Sequence, residues 1–430
     1  MKRESLFFAI MTLVIVQTAV LGQEPINKDL YVPMPLPTYT PPRDTSYKEN
    51  KLQVFNMIEN RFDTVDLGIP QYTPNNSLLP SGIGGFDELI NSGNTAYAFT
   101  NIQPADQLTG YPNYPITTIA KLFLKFLNPL NGSYSYTLCS GAIINPRFVI
   151  TAGHCVKSNT DQSYAVACTV IPEYNMGNSP FGQTNTTNWY SFSQWTNNGN
   201  WDYDMAILKL STPIGNSTGW LGWGYNSNNS FFTSSSNVFH SFGYPAQDDY
   251  GNPVFEQGER MYYMRGYMDY WESANTMCHY NIGYHGQSGS ALYYNDVSNN
   301  RVVYGVLSHG DGKTPPYHTC HCRMDASVFN YFSSIIPASN GTENNNSLKQ
   351  ILIYPNPSSG TFKIDFGEIA SKNLNLKVFN QLGEPVLDKS LTLNEPVITV
   401  DLTLHPTGVY IIRATIDGQI VSGKLFRVDY

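Results

Sequence analysis

Between residues 96 and 336 the chain is a succession of short apolar runs separated by Gly, Asn and Ser turns, with no long amphipathic helix among them. "TIAKLFLKFL", "GAIINPRFVITAG", "DMAILKL", "NVFHSFGY", "ERMYYMRGYM" and "RVVYGVLSHG" are all of strand length. A strand cannot satisfy its own backbone, so runs of this kind must pair with one another. The stretch is therefore expected to be an all-β domain of sandwich or barrel type.

The flanking segments differ in composition. "MKRESLFFAIMTLVIVQTAVLGQ" places two basic residues before a short apolar run and ends in small residues. That order makes 1–22 a secretory signal peptide rather than a stable membrane span, since Gln17 and Thr18 interrupt a run already short for spanning. Residues 23–95, with "YVPMPLPTYTPPRD", are rich in proline and polar residues, and are expected to be a pro-segment or tether, not a packed domain. "IPASNGTENNNSLK" makes 337–349 a soluble linker. Residues 350–430 alternate apolar and polar residues between Gly, Pro and Asn turns, the pattern of a second, smaller β-sandwich.

Composition narrows the partners. Hydrophobic residues make up 41% of the 430 positions, enough for real cores, while only 13% are charged. A net charge of −8 without a dense basic stripe argues against nucleic acid or an anionic membrane as the main partner. Six cysteines in an exported chain read first as disulfides.

Three stretches carry candidate chemistry. In "LCSGAIINPRFVITAGHC" a β run ends at Ile150, and Thr-Ala-Gly turns the chain to place His154 beside Cys155. A hairpin can return Cys139 against Cys155, and a disulfide there would hold the histidine loop as a general base needs to be held. "NWDYDMAILKL" sets Asp204 at the entrance of a buried strand, where it can orient His154; Asp202 is the rival, in a wetter context. "YHGQSGSALYY" holds Ser288 between glycines, a pattern that alone fits an ordinary turn as well as a presented nucleophile.

Taken in the order His, Asp, Ser, these blocks resemble the signatures of chymotrypsin-like serine proteases over residues 100–335 or so. The flanks "SFGYPAQDD", "HYNIGYHGQSGSALYY" and "VLSHGDG" resemble the bacterial glutamyl endopeptidase branch. The resemblance implies a chymotrypsin-like double β-barrel and an acyl-enzyme mechanism on protein or peptide substrates. Ser288 would be the nucleophile, His154 the base and Asp204 its orienting acid, with the N–H groups of Gly286 and Ser288 as oxyanion hole. No cofactor is expected. The competing reading is a catalytically silent homologue acting as a secreted binding or adhesion module.

The pocket follows less directly. Ile282, six residues before the serine, gives a basic P1 side chain no counter-charge. The glutamyl branch implies a histidine at the end of the following strand, which His309 matches if His309 to Gly312 takes the family's His-x-x-Gly. A register shifted by two makes His309 a pocket-wall residue instead. His285 is expected on the pocket rim, and Gly283 departs from the branch's usual Thr. The expected preference is Glu, then Asp, at P1. Gln287 cannot pair a new N-terminus as the acid of trypsin-like zymogens does, and maturation is expected within "NSGNTAYAFTNIQPADQ".

"YHTCHCRM" crowds His318, Cys320, His321 and Cys322, a spacing that suits a disulfide better than a metal. Cys278 can partner one of these cysteines and Cys168 the other, a connectivity that sequence does not fix. The C-terminal segment, from "YPNPSSGTFKIDF" to "GVYIIRATIDGQIVSGKLFRV", resembles the type A sorting domain of the type IX secretion system. It implies a secretion machine as partner and a secreted or cell-surface location.

Overall fold

The strand Ile119–Leu127 is apolar on both faces, with even Lys121 fully buried. It lies in the middle of a sheet, paired to Tyr134–Asn145 on one side and Tyr164–Pro172 on the other. The sheet runs on through Phe148–Thr151 and Ala206–Leu210 at one end and Thr184–Phe192 at the other. Ala206–Leu210 pairs with both Phe148–Thr151 and Thr184–Phe192, so six strands close into a barrel. Closure removes the edges that an open sheet would expose.

This computed structural model describes residues 26–44, 51–65, 102–108, 111–296, 300–336 and most of 352–428, with a few isolated positions between. The signal-peptide segment 1–22 lies outside the described residues. Contacts divide the chain into two units, Met1–Ser339 and Asn340–Tyr430. In the second unit a three-stranded and a four-stranded sheet share one apolar core around Phe362, Leu376, Val400 and Ile412. That is the expected small β-sandwich.

A second sheet completes the first unit. It follows the order Tyr270–Trp271, Thr276–His279, His318–Arg323, Arg301–Asp311, Ala291–Asn295, Phe239–Gly243, Tyr262–Gly266 and Gln103–Pro104. The fold is thus mostly β, two sheets in the chymotrypsin-like arrangement. The helix Ala326–Ile335 packs Val328, Phe329 and Phe332 inward. Asp325 caps it, accepting from the Val328 N–H at 2.8 Å. Asp325→Ala is expected to cost about 1 kcal/mol in a urea unfolding curve, the usual worth of such a cap. An unchanged midpoint would show that the cap is redundant.

The expectation of an unpacked tether fails for the described part of residues 26–65. Leu52–Asn56 pairs with Thr184–Phe192, and with Arg61–Val65 forms a hairpin on the first sheet. Leu52, Val54 and Phe55 are buried in the first barrel's core. Val32–Pro33 also joins this sheet, parallel to Thr137–Leu138.

Candidate active site

His154 stands on the loop after Phe148–Thr151. Its backbone N–H donates to Asp204 Oδ1 at 2.7 Å, and its Nδ1 lies 2.8 Å from Asp204 Oδ2. The loop can come this close because residue 153 is glycine: a Cβ there would lie 2.7 Å from the Trp195 ring and 3.0 Å from Asp204 Oδ1. Asp204, just before the strand Ala206–Leu210, is fully buried and takes a third hydrogen bond from Ser308 Oγ at 2.6 Å. A buried carboxylate tolerates its charge only when donors surround it in this way. With Nδ1–H donated to Asp204, the imidazole presents Nε2 as an acceptor. The rival Asp202 is engaged elsewhere, accepting from Ser273, Asn275 and Thr276.

Ser288 lies on the loop between Thr276–His279 and Ala291–Asn295. Its Oγ and His154 Nε2 are both buried, and neither has a hydrogen-bond partner among the described residues. Nucleophile–base contacts are often loose without substrate. The loop itself is held tightly. The Ser140 N–H donates to the Ser288 carbonyl at 2.9 Å, and Ser140 Oγ donates to the Gly286 carbonyl at 2.8 Å. Gly286 and Gly289 adopt φ of +92° and +83°, which side-chain-bearing residues rarely do. A Cβ on Gly286 would meet the Tyr244 carbonyl at 2.4 Å. The Gln287 side chain closes the turn by accepting from the Tyr284 N–H at 2.9 Å. The disulfide Cys139–Cys155 ties the histidine loop to the strand that carries Ser140.

A family profile described as Trypsin matches residues 124–335, and one described as Secretion system C-terminal sorting domain matches residues 352–427. Residues 124–335 make this chain a trypsin-family serine protease. Its sorting domain makes it a secreted or cell-surface protein. An extracellular metalloprotease of Bacillus subtilis (strain 168) is 27% identical over 254 residues, 59% of this chain and 69% of that protein. A glutamyl endopeptidase of Bacillus licheniformis is 39% identical over 93 residues, 22% of this chain but only 29% of that protein. Among solved structures, the protease Anisep of Arthrobacter nicotinovorans is 23% identical with a TM-score of 0.42, covering 52% of this chain and 96% of that one. A Glu endopeptidase in complex with MPD is 24% identical with a TM-score of 0.43, covering 54% and 95%.

In the trypsin-family domain the two histidines expected at the pocket are already partnered. His309 Nε2 lies 2.7 Å from Glu272 Oε2, and its ring packs on Trp201 at 4.6 Å and Tyr39 at 5.9 Å. It directly follows Ser308, the serine that donates to Asp204. Burial pushes the Glu272 carboxyl up, but the hydrogen bond and charge of His309 bring it below its ordinary range. His285 Nε2 lies 3.1 Å from Asp249 Oδ1, and burial lowers its pKa despite that carboxylate. A slot bounded by Gly283, Gly310 and Thr319 contains Leu36 instead. A Cβ on Gly283 would lie 2.7 Å from Leu36 Cδ2 and one on Gly310 3.1 Å from it.

Cys278 bridges to Cys320, as one of the two pairings expected for it. Cys168 does not take the other: Cys168 and Cys322 are buried free thiols, one on each sheet. Glu272, His318 and Cys320 bring donor atoms within 4.8 Å of one another, but the Cys320 sulfur is bound in that disulfide. Sequence reasoning missed Ser140, Ser308 and Glu272. "LCSG" and "VLSHG" contain the two serines, but nothing local marks a serine that braces a partner across the cleft.

Proposed function

We propose that the chain is a secreted serine endopeptidase in which Ser288 attacks the scissile carbonyl. His154 takes its proton and returns one to the leaving amine, and Asp204 holds the imidazole in the accepting tautomer. The N–H groups of Gly286 and Ser288 receive the oxyanion. The convergence of two His154 N–H donors and Ser308 Oγ on the fully buried Asp204 carries this reading. A fluorophosphonate tests it: the processed protein should be labelled, and peptide mapping should place the adduct on Ser288. Absence of labelling would favour the silent binding module.

The finer proposal is cleavage after Glu, then Asp, supported by the similarity to a glutamyl endopeptidase. Leu36 in the slot favours a second reading, an apolar P1 side chain, because a buried carboxylate needs a donor that a leucine does not. A peptide-library profile separates them. Acidic specificity predicts at least a tenfold preference for Glu over Leu, with His309→Ala reducing cleavage after Glu selectively. Preference for Leu or Met, or an equal loss on all substrates in His309→Ala, would support the apolar reading.

A further inference from the structure

Residues 32–44 cross the catalytic cleft as an extended strap. The Met34 N–H donates to the Leu138 carbonyl at 2.8 Å, and the Gly286 N–H, an oxyanion donor in the proposed mechanism, donates to the Met34 carbonyl at 3.0 Å. Leu36, 5% exposed, fills the slot between Gly283 and Gly310. The Gly310 N–H then donates to the Pro37 carbonyl at 2.9 Å. Further on, Trp201 Nε1 donates to the Thr40 carbonyl at 2.7 Å, and Tyr39 covers His309. Arg43 and Asp44 close the strap down, with Arg43 donating to the Asn197 carbonyl at 2.8 Å and Asn198 to the Asp44 carbonyl at 2.9 Å.

The order of these contacts gives the chain direction. In a peptide being cut, the residue in the primary pocket is the one whose own carbonyl lies at the oxyanion donors. Going from pocket to oxyanion hole therefore follows a substrate from N to C. In the strap the pocket holds residue 36 and the oxyanion donor holds the carbonyl of residue 34, so the same path runs from C to N. The pairing with Thr137–Leu138 is parallel, in keeping with this polarity.

We propose that residues 32–44 are a built-in inhibitor that binds the proposed endopeptidase site backwards and is therefore not cut by it. The proposal rests on the serine endopeptidase reading. The bond after the Met34 carbonyl is Met34–Pro35, with the strap's polarity reversed around it, so no pocket residue presents its own carbonyl to Ser288. Prolines at 33, 35 and 37 remove backbone donors and hold the segment extended before it binds, which lowers the entropy lost on docking. The strap thus binds through the Met34, Pro37, Thr40 and Asp44 carbonyls, the Met34 N–H, the Arg43 guanidinium and the Leu36 side chain, while Ser288 Oγ stays buried.

Three proteins decide the question: the full unprocessed chain, the same chain with Leu36→Asp, and the processed protein recovered from the medium. Each is treated with a fluorophosphonate, and peptide mapping reads labelling at Ser288. The processed protein should label rapidly, the unprocessed chain at least tenfold more slowly, and the Leu36→Asp chain close to the processed rate. Synthetic peptide 32–43 should inhibit the processed protein and remain uncut, whereas its sequence reversal should inhibit at least tenfold less. Equal labelling of the unprocessed and processed proteins, or cleavage of the peptide at a substrate's rate, would overturn the strap while leaving the endopeptidase reading intact. An unlabelled processed protein would remove both.

Discussion

Ser288→Ala in the processed protein is expected to lower kcat by something on the order of 10⁶-fold, the loss typical of removing the nucleophile from a group that acts as a unit. What survives should be the modest acceleration that oxyanion donors and substrate binding supply without a nucleophile. Stability should not fall with it. The Ser288 Oγ is buried without a partner among the described residues, so its deletion removes an unsatisfied polar atom and not a bond. A parallel urea titration checks this. An inactive variant that has also lost several kcal/mol would point to a collapsed loop, and one retaining even a hundredth of wild-type kcat would end the assignment of Ser288.

Asp204→Asn is the more discriminating change, because it preserves shape and alters only which atoms donate. Two His154 N–H groups and the Ser308 hydroxyl all point at this carboxylate. An amide can offer its oxygen to the His154 backbone N–H, but its NH₂ then faces Nδ1. Nδ1 must become the acceptor, the proton moves to Nε2, and the base can no longer take a proton from Ser288. The expected loss is about 10⁴-fold in kcat, with KM little changed. Asp202→Asn should leave kcat near the wild-type value, since its carboxylate braces Ser273, Asn275 and Thr276 instead. Reversal of that ranking would move the orienting role to Asp202.

The proposed catalytic residues stand out in the sequence because each is announced within a few positions: a strand that stops, a small-residue turn, a buried strand that starts. The barrels were legible for the same reason, since alternation and turn chemistry are local. The pocket was not. His309 meets Glu272 from 37 positions away, and which side chain faces the slot depends on strand register. Leu307, Ser308 and His309 alternate in the direction they face, and the bond from Ser308 to Asp204 shows that Ser308 is the one turned toward that carboxylate. The strap was hidden for a further reason. A segment that docks singly through Met34 and Pro37 carbonyls needs no periodicity, so "VPMPLPTYTPPRD" looks like a tether until its partners are known. The hairpin Leu52–Val65 was obscured by the polar, proline-rich stretch around it.

The proposed machinery is divided between the two sheets. His154 and Asp204 leave the first, Ser288 and Ser308 the second, and among the hydrogen bonds across the seam are Ser308 to Asp204, Ser140 N–H to the Ser288 carbonyl, and Ser140 Oγ to the Gly286 carbonyl. Each sheet can keep its own ladders while sliding slightly against the other. A slip of an ångström at that seam would leave secondary structure and most of the core untouched, yet would pull base and nucleophile out of mutual reach. Turnover in this protein is therefore a gauge of how the halves are seated, and substitutions far from the cleft that loosen their docking should register as lost catalysis before any optical probe detects unfolding.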